Sequence, residues 1–165
     1  MQVDTGKRPS VPPRWFIRAA WYVHRAVLRV SGGRVGLWRP RPGRWGTLRL
    51  TTRGRRTGRE RSVVLGYFED GADLVTMAMN GWGEGEPAWW LNLQAHPEAE
   101  VQLADGRRLV TGRAAVGEER ARLWARWAAI DQDLDAYAAL RPTETAVVVL
   151  EPRPASRGSH EPAPG

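Results

Sequence analysis

The 165-residue chain contains no cysteine. That excludes disulfides, thiolate metal sites and a cysteine nucleophile, and it fits a cytoplasmic location. Lysine occurs once, at Lys7, so neither a phosphate-loop lysine nor an imine-forming lysine has a candidate in the body of the chain. The three histidines, His24, His96 and His160, are scattered, and this spacing supports neither a three-histidine metal centre nor a histidine-based triad. No run of eighteen apolar residues is present and no secretory signal opens the chain, so no membrane span is expected. No G-x-S-x-G elbow occurs, and Asp131, Asp133 and Asp135 read as helix-boundary acids rather than a metal set. The inventory describes a binding apparatus without a chemical reagent, which suits a cofactor that brings its own reactivity.

Acidic residues are almost missing from the first third. Residues 1–59 hold 15 Lys and Arg against Asp4 alone, whereas residues 60–165 hold 10 against 17 Asp and Glu, for a net charge of +7. Basic charge with nine tryptophans raises a nucleic-acid partner. The tryptophans lie mostly away in sequence from the arginine-rich loop at residues 53–61, however, and no recognition-helix, zinc-finger or ribonucleoprotein motif is present, so nucleic acid is not the expected partner.

The arginines concentrate after Leu48-Arg49-Leu50-Thr51-Thr52-Arg53, whose apolar and polar residues alternate as in a half-buried strand. The run breaks at Gly54 into Gly54-Arg55-Arg56-Thr57-Gly58-Arg59-Glu60-Arg61. Glycines allow close backbone approach, Thr57 adds a hydroxyl, and guanidinium groups form bidentate bonds to phosphate or carboxylate. The loop suits an anion; a solvated basic turn is the alternative.

In order along the chain, residues 1–13 predict a flexible arm. Residues 14–30 predict an amphipathic basic helix, docked on the domain, covering a site or touching a membrane surface. A Gly/Pro/Arg-rich connector runs to Gly46. Strands are expected over 45–52, 61–68 and 72–78, the last two joined at Asp70-Gly71 as a hairpin. Pro87 precedes a helix over 88–95 that His96-Pro97 stops. Strands over 99–103 and 107–116 flank Asp105-Gly106, a helix opens at Gly117, a short helix covers 133–140 and a final strand 145–150. Residues 153–165 read as a disordered tail. Six strands joined mostly by hairpins indicate one α+β, mainly β domain, 14–152, built on a small antiparallel barrel.

Thr51-Thr52-Arg53-Gly54-Arg55-Arg56-Thr57-Gly58, then Asp70-Gly71, Pro87-Ala88-Trp89-Trp90-Leu91-Asn92-Leu93 and His96-Pro97 together closely resemble the deazaflavin-dependent nitroreductase and quinone reductase family of actinobacteria, whose members use reduced coenzyme F420. The likeness runs from about residue 48 to 152. It implies a six-stranded split β-barrel and an F420H2-dependent oxidoreductase passing a hydride to a small apolar acceptor, a quinone or nitroaromatic. An FMN-using relative on the same barrel and a deazaflavin-binding protein without turnover are the alternatives.

The resemblance also assigns positions. Arg55, Arg56, Thr57 and Gly58, with Arg61, would hold the phosphate and acidic tail of the coenzyme. Val64, Leu65 and Gly66 would line the deazaflavin; Ala78, Met79 and Asn80 would follow its ring and ribityl chain; Ala88, Trp89 and Asn92 would cover it. Tyr22 and Tyr137 are the candidate acceptor contacts. No metal is implied. Val64 stands where many members have proline, and Met79-Asn80 where the nitroreductase prototype has serine then lysine, which weakens the case for nitroimidazole reduction. Peripheral contact with the inner face of the plasma membrane through residues 14–30 is a further expectation.

Overall fold

The computed structural model describes residues 36–83 and 85–154. The expected arm and helix of residues 1–30, with Tyr22, and nearly all of the expected tail lie outside them. Six strands, β1 (Gly46–Arg53), β2 (Glu60–Asp70), β3 (Asp73–Met77), β4 (Glu98–Leu103), β5 (Gly106–Ala114) and β6 (Val147–Pro152), form a closed barrel in the order β1-β2-β3-β6-β5-β4. Every pairing is antiparallel. Helix α1 (Ala88–Ala95) follows β3, and α2 (Gly117–Ile130) and α3 (Leu134–Ala138) lie between β5 and β6.

Side-chain alternation divides the apolar residues into two cores. Leu48, Leu50, Tyr67, Val101, Val110, Val148 and Leu150 fill the barrel, and α1 adds Trp89, Trp90 and Leu93 to them. Phe68, Val75, Met77, Val147 and Val149 form the second core with Leu123 and Trp127 of α2 and Leu134 of α3. β6 is thus buried on both faces, the reason its Val147-Val148-Val149-Leu150 run shows no polar alternation. Charges fasten α2 to the barrel: Arg113 bridges Glu119 at 2.7 Å and Glu151 at 2.6 Å, while Arg122 and Arg126 reach Asp70 at 2.8 and 2.6 Å.

The expected Asp70-Gly71 hairpin forms, with Asp70 opposite Asp73 and Gly71 at φ +63°. Its strands part early. β2 pairs β1 over eight positions, Glu60 to Tyr67, but pairs β3 over only three, Phe68 to Asp70. The third strand is shorter than the 72–78 expected, and its opposite edge pairs β6 along Leu74 to Met77. The described part of the connector, residues 36–45, carries two isolated antiparallel backbone pairings, Trp38 with Thr47 and Arg41 with Arg44.

Candidate functional site

Where β2 and β3 diverge, the Thr76 hydroxyl donates to the Gly66 carbonyl at 2.8 Å in place of a ladder bond. The same carbonyl cannot face β1, because its opposite residue Thr47 donates its N–H away from β2, to the Trp38 carbonyl at 2.9 Å. Backbone groups alternate sides along a strand, so the main-chain N–H and C=O of Val64, two residues from Gly66, also face the cleft. The cleft therefore presents a polar strand edge between apolar side chains.

A cavity of about 860 Å³ opens along this cleft, within the range of small-molecule and cofactor sites. Val64, Leu65 and Gly66 of β2 form one wall and Thr76 and Met77 of β3 another. Met79, Asn80 and Gly81 continue it, and Pro87, Ala88, Trp89 and Asn92 close it from α1. Arg55, Arg56, Thr57 and Arg61 stand at its basic end. Twelve of the fourteen positions singled out as cofactor contacts thus meet at one cavity, although they come from four separate stretches of chain.

Gly58 and Ala78 do not line it. Gly58, at φ +68°, donates its N–H to the Gly54 carbonyl at 2.8 Å, while Gly54 donates to Arg59 at 2.8 Å. These bonds close the loop into a tight turn on which Arg55 and Arg56 are exposed. Ala78 is buried and donates to Ala146. Tyr137, on α3, is not among the lining residues. Trp89 and Trp90 pack edge to face at 6.3 Å, with Trp89 on the cavity wall and Trp90 in the barrel core.

Asn92 is 4 % exposed, and its amide is engaged with the protein. Its Oδ1 accepts the main-chain N–H of Arg55 at 3.2 Å and the Arg55 guanidinium at 3.3 Å, and its Nδ2 donates to Thr52 Oγ1 at 3.2 Å. Asn80 has φ +37°, the only left-handed non-glycine backbone among the described residues, followed by Gly81 at +60°. Asparagine tolerates that region better than most residues, and such outliers concentrate at functional sites.

Sequence reasoning missed Gly54, Ser62, Val63, Thr76, Met77, Gly81 and Pro87 on the wall. It also missed Arg141, which is buried beside the loop leading from β3 to α1 and donates to four acceptors. The first group adjoins the expected positions and follows from strand and loop continuity. Nothing in Arg141-Pro142-Thr143 distinguishes a buried arginine from a solvated one.

The donor set fits a ligand that is anionic at one end and flat and apolar along its body. Guanidinium groups gather at one end, an aromatic face and aliphatic side chains line the remainder, and a polar strand edge runs through the cleft. Among the described residues no group of His, Asp or Glu could hold a metal ion, and no helix is long and apolar enough to cross a membrane.

The sequence model of the F420H(2)-dependent quinone reductase family matches residues 21–152. An F420H(2)-dependent quinone reductase of Mycobacterium tuberculosis is 33% identical over 104 residues, covering 62% of this chain and 68% of the relative. A solved F420-H2 dependent reductase, FDR-A, superposes with a TM-score of 0.58 at 26% identity, over 64% of this chain and 93% of its own. A structure described as a domain-swapped dimer shares the fold, with a TM-score of 0.62 at 24% identity, over 81% of this chain and 99% of that one.

Proposed function

The chain belongs to the F420H(2)-dependent quinone reductase family, and we propose that it passes a hydride from reduced coenzyme F420 to a quinone-type acceptor in the β2–β3 cleft. The observation that carries this reading is the single cavity joining the arginine loop to the apolar, tryptophan-faced cleft. We take the barrel to be of the split type, because the early parting of β2 from β3 supports it.

Arg55, Arg56 and Arg61, with the Thr57 hydroxyl, bind the phosphate and carboxylates of the coenzyme's tail. Several anionic groups match several guanidinium groups better than the single phosphate of FMN does. Val64, Leu65 and Gly66 lie along the ring system, whose polar edge the main chain of Val64 and Gly66 can meet with both a donor and an acceptor. Trp89 and Ala88, on the cavity wall, would cover it and exclude water, and Met79 and Asn80 would border its ribityl chain. Bound deazaflavin supplies the hydride; the protein supplies position and electrostatics.

Steady-state oxidation of F420H2 with menadione tests the activity. The reading predicts turnover that requires the chain and that Arg56→Ala impairs; no turnover with either quinones or nitroaromatics would leave a binding protein instead.

The basic amphipathic pattern of residues 14–30, which lie outside the described residues, supports a second role, in which Tyr22 meets the acceptor and the segment meets anionic lipid. A chain lacking residues 1–30 should then keep its F420 affinity and lose co-sedimentation with anionic vesicles. Retained pelleting would contradict it. Tyr137, away from the cavity wall, becomes an acceptor contact only if the acceptor extends beyond that wall.

A further inference from the structure

Arg141 has a side chain with no exposure to solvent. Its Nη1 donates to the Ala78 carbonyl at 2.8 Å and to Thr145 Oγ1 at 2.7 Å; its Nη2 donates to the Gly85 carbonyl at 3.0 Å and to Glu86 Oε1 at 3.3 Å. Ala78 is where the chain leaves β3, and Gly85 and Glu86 are where it enters α1. One guanidinium thus spans both ends of the loop whose residues Met79, Asn80 and Gly81 line the cavity, and it sits against the helix entrance that carries Pro87, Ala88 and Trp89. Thr143 adds a second tie to Glu86 at 3.3 Å, and Arg120 donates to the Thr145 carbonyl at 3.0 Å, so the anchor point before β6 is itself held by α2.

Burying a guanidinium is costly unless its donors are satisfied; here both terminal nitrogens are engaged on four acceptors, while the buried Nε has no partner. A lysine would retain the charge but could not reach carbonyls on both sides in a planar fork. The loop it holds contains the strained Asn80 backbone, a conformation that persists only when its surroundings over-determine it. We propose that Arg141 is the positioning residue of the site: by clamping Ala78 to Gly85 and Glu86 it fixes the Met79–Gly81 wall and the entry of α1 against the cleft, and so sets the distance and angle at which the two reactants meet. Arg141 itself does not line the cavity. The inference rests on the proposed F420 site for its catalytic consequence, but the clamp can be read without any ligand.

The test uses the full chain with Arg141→Lys, Arg141→Ala and Glu86→Ala, reading F420 affinity by fluorescence, kcat and KM with F420H2 and menadione, and amide hydrogen exchange over residues 79–87 without coenzyme. Arg141→Lys should exchange faster in that segment while β1, β4 and β5 are unchanged. It should lose on the order of ten- to a hundredfold in kcat, the scale set by reactant misplacement, a larger loss than in F420 affinity, because none of the partners of Arg141 lies on the arginine loop. Millimolar guanidinium should restore kcat in Arg141→Ala and ammonium should not. If the arginine variants do not fold, Glu86→Ala, at a partly exposed position, should show the same exchange and kcat pattern in weaker form. Exchange and kcat at wild-type values in the folded variants would overturn the inference. So would a fall in melting temperature with kcat of the folded fraction preserved. Failure of the unaltered chain to bind F420 would defeat the functional reading alone, because the exchange result stands without it.

Discussion

Asn92 of α1 accepts two hydrogen bonds from Arg55, one from its main-chain N–H at 3.2 Å and one from its guanidinium at 3.3 Å. Helix and loop are 37 residues apart in sequence, and this contact makes them one wall. The third bond of the amide, to Thr52, continues the link to the end of β1. We propose that Asn92, besides lining the cavity, serves the site by holding the anion loop in place, a different role from covering the ring.

Asn92→Leu should preserve the volume of the side chain and remove all three bonds, leaving Thr52 Oγ1 and the Arg55 N–H without this partner. A loss of about 1–3 kcal/mol in stability is expected, the cost of stranding buried polar groups. F420 affinity should fall as well, although Asn92 carries no charge. Thermal unfolding and a fluorescence titration check the two effects; full affinity with lowered stability would show that the loop finds its geometry unaided.

Arg56→Ala should weaken F420 binding by about 1.5–3 kcal/mol, the range for a hydrogen bond to a charged group. The melting temperature should hardly move, because Arg56 lies exposed on the loop. Raising ionic strength should weaken binding to the unaltered chain more than to the variant. Equal affinities for both at low salt would remove the anion-loop argument.

Much of this arrangement was legible in the sequence, and the limits have physical causes. α1 occupies Ala88–Ala95 as expected because Pro87 and His96-Pro97 bound it through local backbone chemistry. The Gly54–Gly58 turn was readable for the same reason. The extent of the β2–β3 pairing was not, since Asp70-Gly71 specifies a hairpin turn but not how far its strands stay together. Past Val75 only the β6 edge of β3 stays paired, Thr76 with Val148 and Met77 with Val147, and that pairing lies dozens of residues away in sequence. Asn92 and Arg141 belong to the same class: their types were visible, but their partners come from segments dozens of residues away.

Gly112→Ala probes the packing of α1 on the barrel. A Cβ at Gly112 would stand 2.8 Å from Leu93 Cδ1 and 3.4 Å from Leu150 Cδ2, both in the filled core. Overpacking of this kind costs about 1–3 kcal/mol. Because Leu93 shares its helix with Trp89 and Asn92, the variant should lose F420 affinity along with thermal stability. Lost stability with unaltered affinity would mean that α1 yields without moving its cavity face.

The acid limb of stability should report the α2 anchor. Hydrogen bonding from Arg122, joined by the charges of Arg122 and Arg126, holds the Asp70 carboxyl below the usual carboxylate range against a smaller opposing effect of burial. A depressed folded-state value contributes stability above the unfolded value of about 4, and that contribution is lost as pH falls through the folded value. Asp70→Asn should therefore melt below the unaltered chain at neutral pH, with the gap closing as pH falls below about 4. Asp73 is shifted upward, mainly by burial and then by Glu151, with the charge of Asp70 a smaller cause, so its contribution has the opposite sign and is only partly relieved in Asp70→Asn. An equal gap at neutral and strongly acidic pH would exclude the Asp70 ion pairs as its source.

The most direct test of the cleft as an F420 site is a competition titration, in which F420 fluorescence is followed as the chain is added and FMN is then titrated against the complex. The arginine loop, matched to several carboxylates, predicts that F420 binds and that FMN displaces it only when present in large excess. FMN binding as tightly as F420 or more so, at the same site, would contradict the account.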